Sequence, residues 1–252
     1  AQCRWLGWSE ALEPRLLAWM KDHHKATRAG NKEVLAQVAQ EFDDIILSEL
    51  RPRQNSNARY DDVTAHLCRT TFEGRLLTDQ EVISILRNWT GGDLGSIALC
   101  VGVILHYIAN HPELALKLQL AGDEEVEAFI DEVLRMDDPF ISNRRVTTCP
   151  VHIGGQDIPS GSKIKLHWTS ANRDELVFGD NDFNPVKNRP NNLVYGVGKH
   201  VCPGRLLATW QLRIMVQALL STGQKILPAS NEQSVREVAP LGGFNRVPIM
   251  IA

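Results

Sequence analysis

Residues 195–204 read YGVGKHVCPG, a glycine-rich turn with one cysteine just ahead of a helix-forming run. A metal-bound thiolate needs a backbone that turns tightly and comes close to a flat ligand. Gly196, Gly198 and Gly204 allow that, because glycine has no Cβ. The negative sulfur must also be stabilised. Cys202 stands just before a predicted helix N-terminus, where unpaired N–H groups and the helix dipole favour an anion. The combination suits an axial thiolate on a haem iron. The plainer alternative is a small buried hydrophobe, the usual role of a lone Cys.

Two other stretches carry chemistry-bearing residues. Glu132 and Arg135 are three apart on a predicted helix and so share a side. At a surface such a pair is worth under ~1 kcal/mol. Residues 89–98, WTGGDLGSIA, place Gly91, Gly92 and Gly95 inside a helical pattern. Each costs roughly 1 kcal/mol relative to Ala. Either a ligand or backbone comes close there, or two helices pack tightly. Asp93 and Ser96 lie three apart in the same stretch, able to share a face and to handle protons.

The elements that must position these residues are mostly helical. Ser9 caps a helix to about His24, and a second runs from Asn31 to about Leu50, with Val34, Leu35, Val38, Phe42, Ile45 and Ile46 at helical spacing. Residues 51–61 are polar and irregular, hence a linker, and a short helix follows from Asp62 to Phe72. Thr78 and Glu81 make a capping box opening a long helix that ends at His111-Pro112. Another helix covers Asp123 to Met136. Strands with glycine turns occupy Val146 to Trp168, and Phe178 to Asn192 is loop-rich. The last helix starts at Pro203 and stops before Gly223.

Composition bounds the function. The 252 residues are 43% hydrophobic with a formal net charge of -3 and no block of like charge, which argues against nucleic acid. Cys3, Cys68, Cys100, Cys149 and Cys202 form no C-x-x-C and are odd in number. A disulfide framework and a zinc site are therefore not expected, and a reducing compartment is. The longest apolar run, Ile97 to Leu105, is too short for a membrane span. The first residues lack a signal-peptide pattern, and the missing initiator Met points to processing or to a fragment.

The cysteine loop resembles, almost position for position, the haem-ligand signature of the cytochrome P450 family: an aromatic, two residues, Gly, one residue, His or Arg, one residue, Cys, one residue, Gly. Tyr195 stands where the family usually has Phe. Glu132-Val-Leu-Arg135 is similar to the family's E-x-x-R, and Ala171-Asn-Arg-Asp174 with Phe178 and Phe183 also resembles it. The resemblance runs from about Cys3 to the C-terminus. It implies a mainly α fold with a minor β-sheet, as one domain over residues 1–252 that lacks the N-terminal part of the family fold.

The resemblance also assigns residues. Cys202 would ligate the iron of haem b, with Gly92, Tyr195, Gly196 and Gly204 close to the ring. Arg145, or the adjacent Arg144, would bind one propionate and His200 another, while Asn192 replaces a frequent propionate-binding His. Glu132 and Arg135 would form a buried structural pair joined by a further basic residue, Lys187 or Arg189. On the distal side the family carries an acid followed by Thr. Here those positions are Gly95 and Ser96, and Asp93 is the substitute acid.

The implied activity is a monooxygenase that inserts one oxygen atom of O2 into a small organic substrate. Electrons would come from a ferredoxin or flavodoxin-type donor with its reductase, docking near Lys199, Arg205 and Arg213. A cytoplasmic protein with no membrane or nucleic-acid partner is expected. A peroxygenase or isomerase, or a haem-free remnant, are the alternatives. The family's substrate-closing wall is expected upstream of Ala1, so the chain alone would be incompetent or would self-associate.

Overall fold

The computed structural model describes residues 2–55, 60–180 and 182–252. The chain folds as two compact units, Ala1–Ala98 and Leu99–Ala252.

The first unit is helical around an apolar core that includes Leu6, Trp8, Leu16, Trp19, Phe42, Ile45, Ile46, Leu50 and Leu86. Trp19 stacks on Phe42 with ring centroids 3.9 Å apart. Its indole N–H is not left dry, because it donates to the Val38 carbonyl at 2.8 Å. Ser9 caps a single 3-10 turn, and the following helix spans Glu13–Ala29. It passes His24 because nothing breaks the helix until Gly30, which closes it at φ 65.

The second helix spans Lys32–Asn55 and so overruns the expected linker at Arg51. Pro52 lies inside it, where a missing N–H should weaken the turn. Arg53 compensates. Its guanidinium donates to the Glu49 carbonyl at 2.6 Å, to both Asp62 carboxylate oxygens at 3.0 Å and to the Gly7 carbonyl at 2.5 Å. Ser56 to Arg59, the middle of that linker, lie outside the described residues. The next helix is only Val63–Arg69, capped by Asp62. Phe72, expected in it, instead pairs with Arg75 in a two-residue ribbon.

The Thr78–Glu81 capping box forms as expected. Helical structure then continues from Asp79 to Asn110, 32 residues, long and apolar enough by length and composition to cross a membrane. The apolar run read from sequence is thus embedded in a longer helix. Its side chains feed two protein cores instead: Val82, Ile83 and Leu86 in the first unit, and Val103, Ile104 and Ile108 in the second. Residues Gly92–Ser96 form a π-helical turn within it.

In the second unit, helices Asp123–Met136 and Arg205–Leu220 pack together. Val126, Phe129, Ile130, Val133, Leu134, Leu212 and Val216 are buried there. Among the described residues the β structure is five separate two-stranded antiparallel sheets. Ser142–Val146 pairs with Lys163–His167, and Val151–Ile153 with Gln156–Ile158.

Candidate functional site

The Cys202 loop is closed by its own backbone. Gly196 N–H donates to the Leu193 carbonyl at 2.8 Å, Val201 N–H to Gly198 at 3.0 Å, and Cys202 N–H to Tyr195 at 2.8 Å. These bonds require left-handed backbone at Gly196, φ 70, and Gly198, φ 74, which side chains rarely adopt. The helix itself starts at Arg205, two residues later than expected. Arg205 N–H donates to the Cys202 carbonyl at 3.3 Å, closing a turn over Pro203-Gly204, and Gly204 becomes the cap. A Cβ on Gly204 would stand 3.9 Å from the Cys202 sulfur, so the thiol lies beside the helix start.

The other thiols are poor competitors. Burial first of all pushes Cys3, Cys68 and Cys100 up, leaving them neutral. Cys149 is exposed. Among the described residues no group of three or more His, Cys, Asp or Glu could hold a metal. A metal at Cys202 would therefore take its remaining donors from a prosthetic group, which is what a porphyrin supplies. Val197, Val201, Leu206 and Trp210 around the loop are exposed apolar side chains. The residues present fit a flat apolar cofactor.

Tyr195 lies under the loop, its hydroxyl 3.3 Å from Thr209 Oγ1 and the Arg205 guanidinium 5.3 Å from its ring centre. Burial pushes its phenol up, so it stays protonated. His200 is exposed on the loop rim. Arg144 and Arg145 alternate along one strand. Arg144 is exposed and Arg145 half-buried, donating to the Arg144 carbonyl at 2.8 Å. Among the described residues no carboxylate pairs with Arg145, and its charge remains available to an anion.

Glu132 and Arg135 form a buried bidentate pair, at 2.8 and 2.9 Å. The expected basic third partner is replaced. Glu132 accepts from Asn188 Nδ2 at 2.7 Å and from the Asn184 N–H at 2.9 Å. Arg189 pairs with Glu127 and Asp131 at 3.5 Å instead, and Lys187 is exposed. A short amide reaches a saturated buried carboxylate without burying a second charge. Burial pushes the Glu132 carboxyl up, but the bonds from Arg135, Asn184 and Asn188 outweigh it and hold it below the usual range.

Three residues that sequence reasoning missed complete this network. Asn172, fully buried, gives its carbonyl to Arg135 Nη1 at 2.7 Å. Its side chain links Asp138 to the Leu193 backbone. The Ala171–Asp174 resemblance included Asn172, but only packing shows what it bonds. Asn188 and Asp138 carried no signal, lying in a polar loop and beside a second Asp. Asn192 donates to the Asp131 carbonyl at 2.6 Å.

In the first unit the π turn changes the expected relation of Asp93 and Ser96. A wider turn advances each residue by a smaller angle than an α-turn does, so residues three apart lie further apart around the axis than the α spacing implies. Gly92 is exposed, and apart from its chain neighbours and its own helix backbone no described atom of its unit lies within 4 Å of where its Cβ would be. Gly95 is buried, and a Cβ there would stand 3.5 Å from Met20 Sδ and 3.6 Å from His24 Nε2. Arg213, expected on a basic docking face, is held by Asp123 and by Glu127 at 3.4 Å. Lys199 and Arg205 are exposed.

Residues 10–233 match the family model described as Cytochrome P450. The chain belongs to the cytochrome P450 family. Haem is the cofactor that this membership implies. The chain is 30% identical over 194 residues to the cyclomarin C epoxidase CymV of Salinispora arenicola, covering 76% of this chain and 48% of that protein. It is 40% identical over 95 residues to the linalool 8-monooxygenase of Pseudomonas putida, covering 37% of this chain and 23% of that one. The ligand-free structure of cytochrome P450 TbtJ1 superposes with a TM-score of 0.87 at 23% identity, covering 100% of this chain and 67% of that structure. That likeness shows the fold. This cytochrome P450 chain spans about half the length, 48%, of the epoxidase it matches.

Proposed function

We propose that this chain is the haem-holding part of a bacterial-type monooxygenase, with Cys202 as the thiolate that would hold haem b. The observation that carries the reading is the backbone-closed loop that holds Cys202 beside a helix start, with no other metal-ligand cluster among the described residues. Bound haem would supply the redox centre for O2 chemistry. The protein's own residues would hold and orient it. Arg145 and His200 would bind its propionates, a guanidinium suiting a carboxylate in bidentate fashion. Tyr195, Gly196 and Gly204 would hold it close to the Cys202 loop, and the family resemblance gives Gly92 a place among the haem-contacting residues. The same resemblance gives Ser96 Oγ, with the Asp93 carboxylate, the role of holding and moving protons. Arg189 would help hold the Glu132 helix to the loop ahead of Cys202.

Relatives named as an epoxidase and a linalool 8-monooxygenase support oxygen insertion into a small organic molecule. A ferredoxin or flavodoxin-type protein would deliver electrons at the face bearing Lys199 and Arg205. A soluble, cytoplasmic setting agrees with the bacterial relatives and the free cysteines. The decisive experiment is a carbon-monoxide difference spectrum of the reduced protein and of Cys202→Ser. The thiolate band should appear in the first and vanish in the second. The same band with Ser at position 202 would exclude Cys202, and no haem spectrum in either would mark a haem-free remnant.

Gly95 favours one second reading. The usual acid is absent there, and a Cβ at that position would be in ordinary contact with Met20 and His24. A peroxide-using or isomerising enzyme needs no such acid. Faster turnover with peroxide than with NAD(P)H and a redox partner would select it.

A further inference from the structure

We propose that Asp138 positions the Cys202 loop by fixing which way round the Asn172 carboxamide sits. The argument rests on hydrogen-bond polarity. Asn172 lies between two groups of opposite kind. Its Nδ2 donates to Asp138 Oδ2 at 3.2 Å, and its Oδ1 accepts from the Leu193 N–H at 2.8 Å. An ionised carboxylate only accepts and a backbone N–H only donates, so the amide fits in one orientation. The two side chains are removed from water: Asn172 is fully buried and Asp138 is 4% exposed, while Leu193 is half-buried. Water cannot correct a reversed amide there.

Asp138 is itself held, since the Phe140 N–H donates to its Oδ1 at 2.7 Å. Burial, the main cause, pushes its carboxyl up to about 6, so it is charged at neutral pH; Asp137 and Cys100 are the titratable groups that interact with it. Leu193 is where the cysteine loop begins. Its carbonyl takes the Gly196 N–H, and Tyr195 then takes the Cys202 N–H. The Asn172 carbonyl also receives Arg135. Asn172 therefore joins the Glu132–Arg135 pair through its backbone carbonyl, and the Asp138 carboxylate and the first residue of the loop through its side-chain amide. Asp138 is a positioning residue and touches neither cofactor nor substrate. Its importance for haem rests on the reading of Cys202 as the ligand.

The test uses isosteres. In Asp138→Asn the new side chain must keep its oxygen for the Phe140 N–H, which turns its NH2 toward the NH2 of Asn172. Donor meets donor. Asn172 then reverses and leaves the Leu193 N–H facing another donor. The double variant Asp138→Asn with Asn172→Asp restores the polarity, because an aspartate at 172 accepts from both sides. Amide exchange at Leu193 should be roughly tenfold faster in the single variant, the size expected for one lost buried hydrogen bond, and should return to near the wild-type rate in the double variant. Exchange in the middle of the Asp123–Met136 helix should not move. Haem dissociation from the ferric protein should follow the same order.

Wild-type exchange at Leu193 in Asp138→Asn would overturn the proposal. So would a double variant no better than the single, including the case in which both fail to fold. If Leu193 follows the prediction but no form of the protein takes up haem, the positioning link stands and the Cys202 reading falls.

Discussion

Glu132 is a carboxylate whose burial is justified only by its partners. Arg135, Asn184 and Asn188 supply them, and Glu132→Ala would leave the Arg135 charge buried against Phe178 without its counter-ion. That loss should cost about 3–5 kcal/mol. Haem-free or insoluble protein is the expected outcome, and normal haem content with unchanged thermal stability would contradict it. Asp138 acts with the opposite sign. Burial raises its carboxyl to about 6 in the folded chain, so its contribution to stability is present below about pH 4 and lost as pH rises through about 6. The lowered Glu132 carboxyl instead contributes above its unfolded value and loses that as pH falls. Urea unfolding across this window should show a loss on the order of 3 kcal/mol on the Asp138 account, absent in Asp138→Asn. The spacing of Glu132 and Arg135 was legible because charge and helical period coincide. Asn172 and Asn188 were not, since an amide has no pattern until its partners are placed around it.

Elements read best where a cap marks them. The Thr78–Glu81 box and the Gly223 stop were legible, because each satisfies backbone groups within a few residues. Boundaries set by distant side chains were not. The Lys32–Asn55 helix survives Pro52 through Arg53 bonds to Gly7 and Asp62, which no local pattern announces. The π turn at Gly92–Ser96 was visible only as three costly glycines. The space at Gly95 divides their roles. A Cβ there meets Met20 and His24 at ordinary contact distance. Gly95→Ala should therefore be tolerated, and gain up to about 1 kcal/mol from helix propensity, as thermal unfolding would show. A fall in stability would mean that the turn itself depends on glycine. Ser96→Ala should leave reduction intact but divert electrons to peroxide, with product per electron reduced as much as 100-fold. Unchanged coupling would remove Ser96 from proton delivery.

Across the whole molecule, surface rather than core sets the expected behaviour. Leu206, Trp210 and Ile214 recur every fourth residue on the Cys202 helix, and all three are exposed. A row of this kind favours association. The protein should elute larger than a monomer, and Trp210→Glu should shift it toward monomer; a monomeric wild type would contradict this. Charge reversal at Arg205 should slow reduction by an acidic donor, mainly in the on-rate and more at low salt. Indifference to both would place the donor elsewhere. The β structure has a further consequence. Every described sheet is only two strands wide, so no strand is locked between two neighbours. Isolated ribbons are marginal in water. The Val151–Ile158 ribbon is largely exposed, with Gly154 and Gly155 at its tip. It can open and close by local unfolding while the helices stay shut. A protease should find that tip early, leaving two pieces held together by the helical core under native conditions.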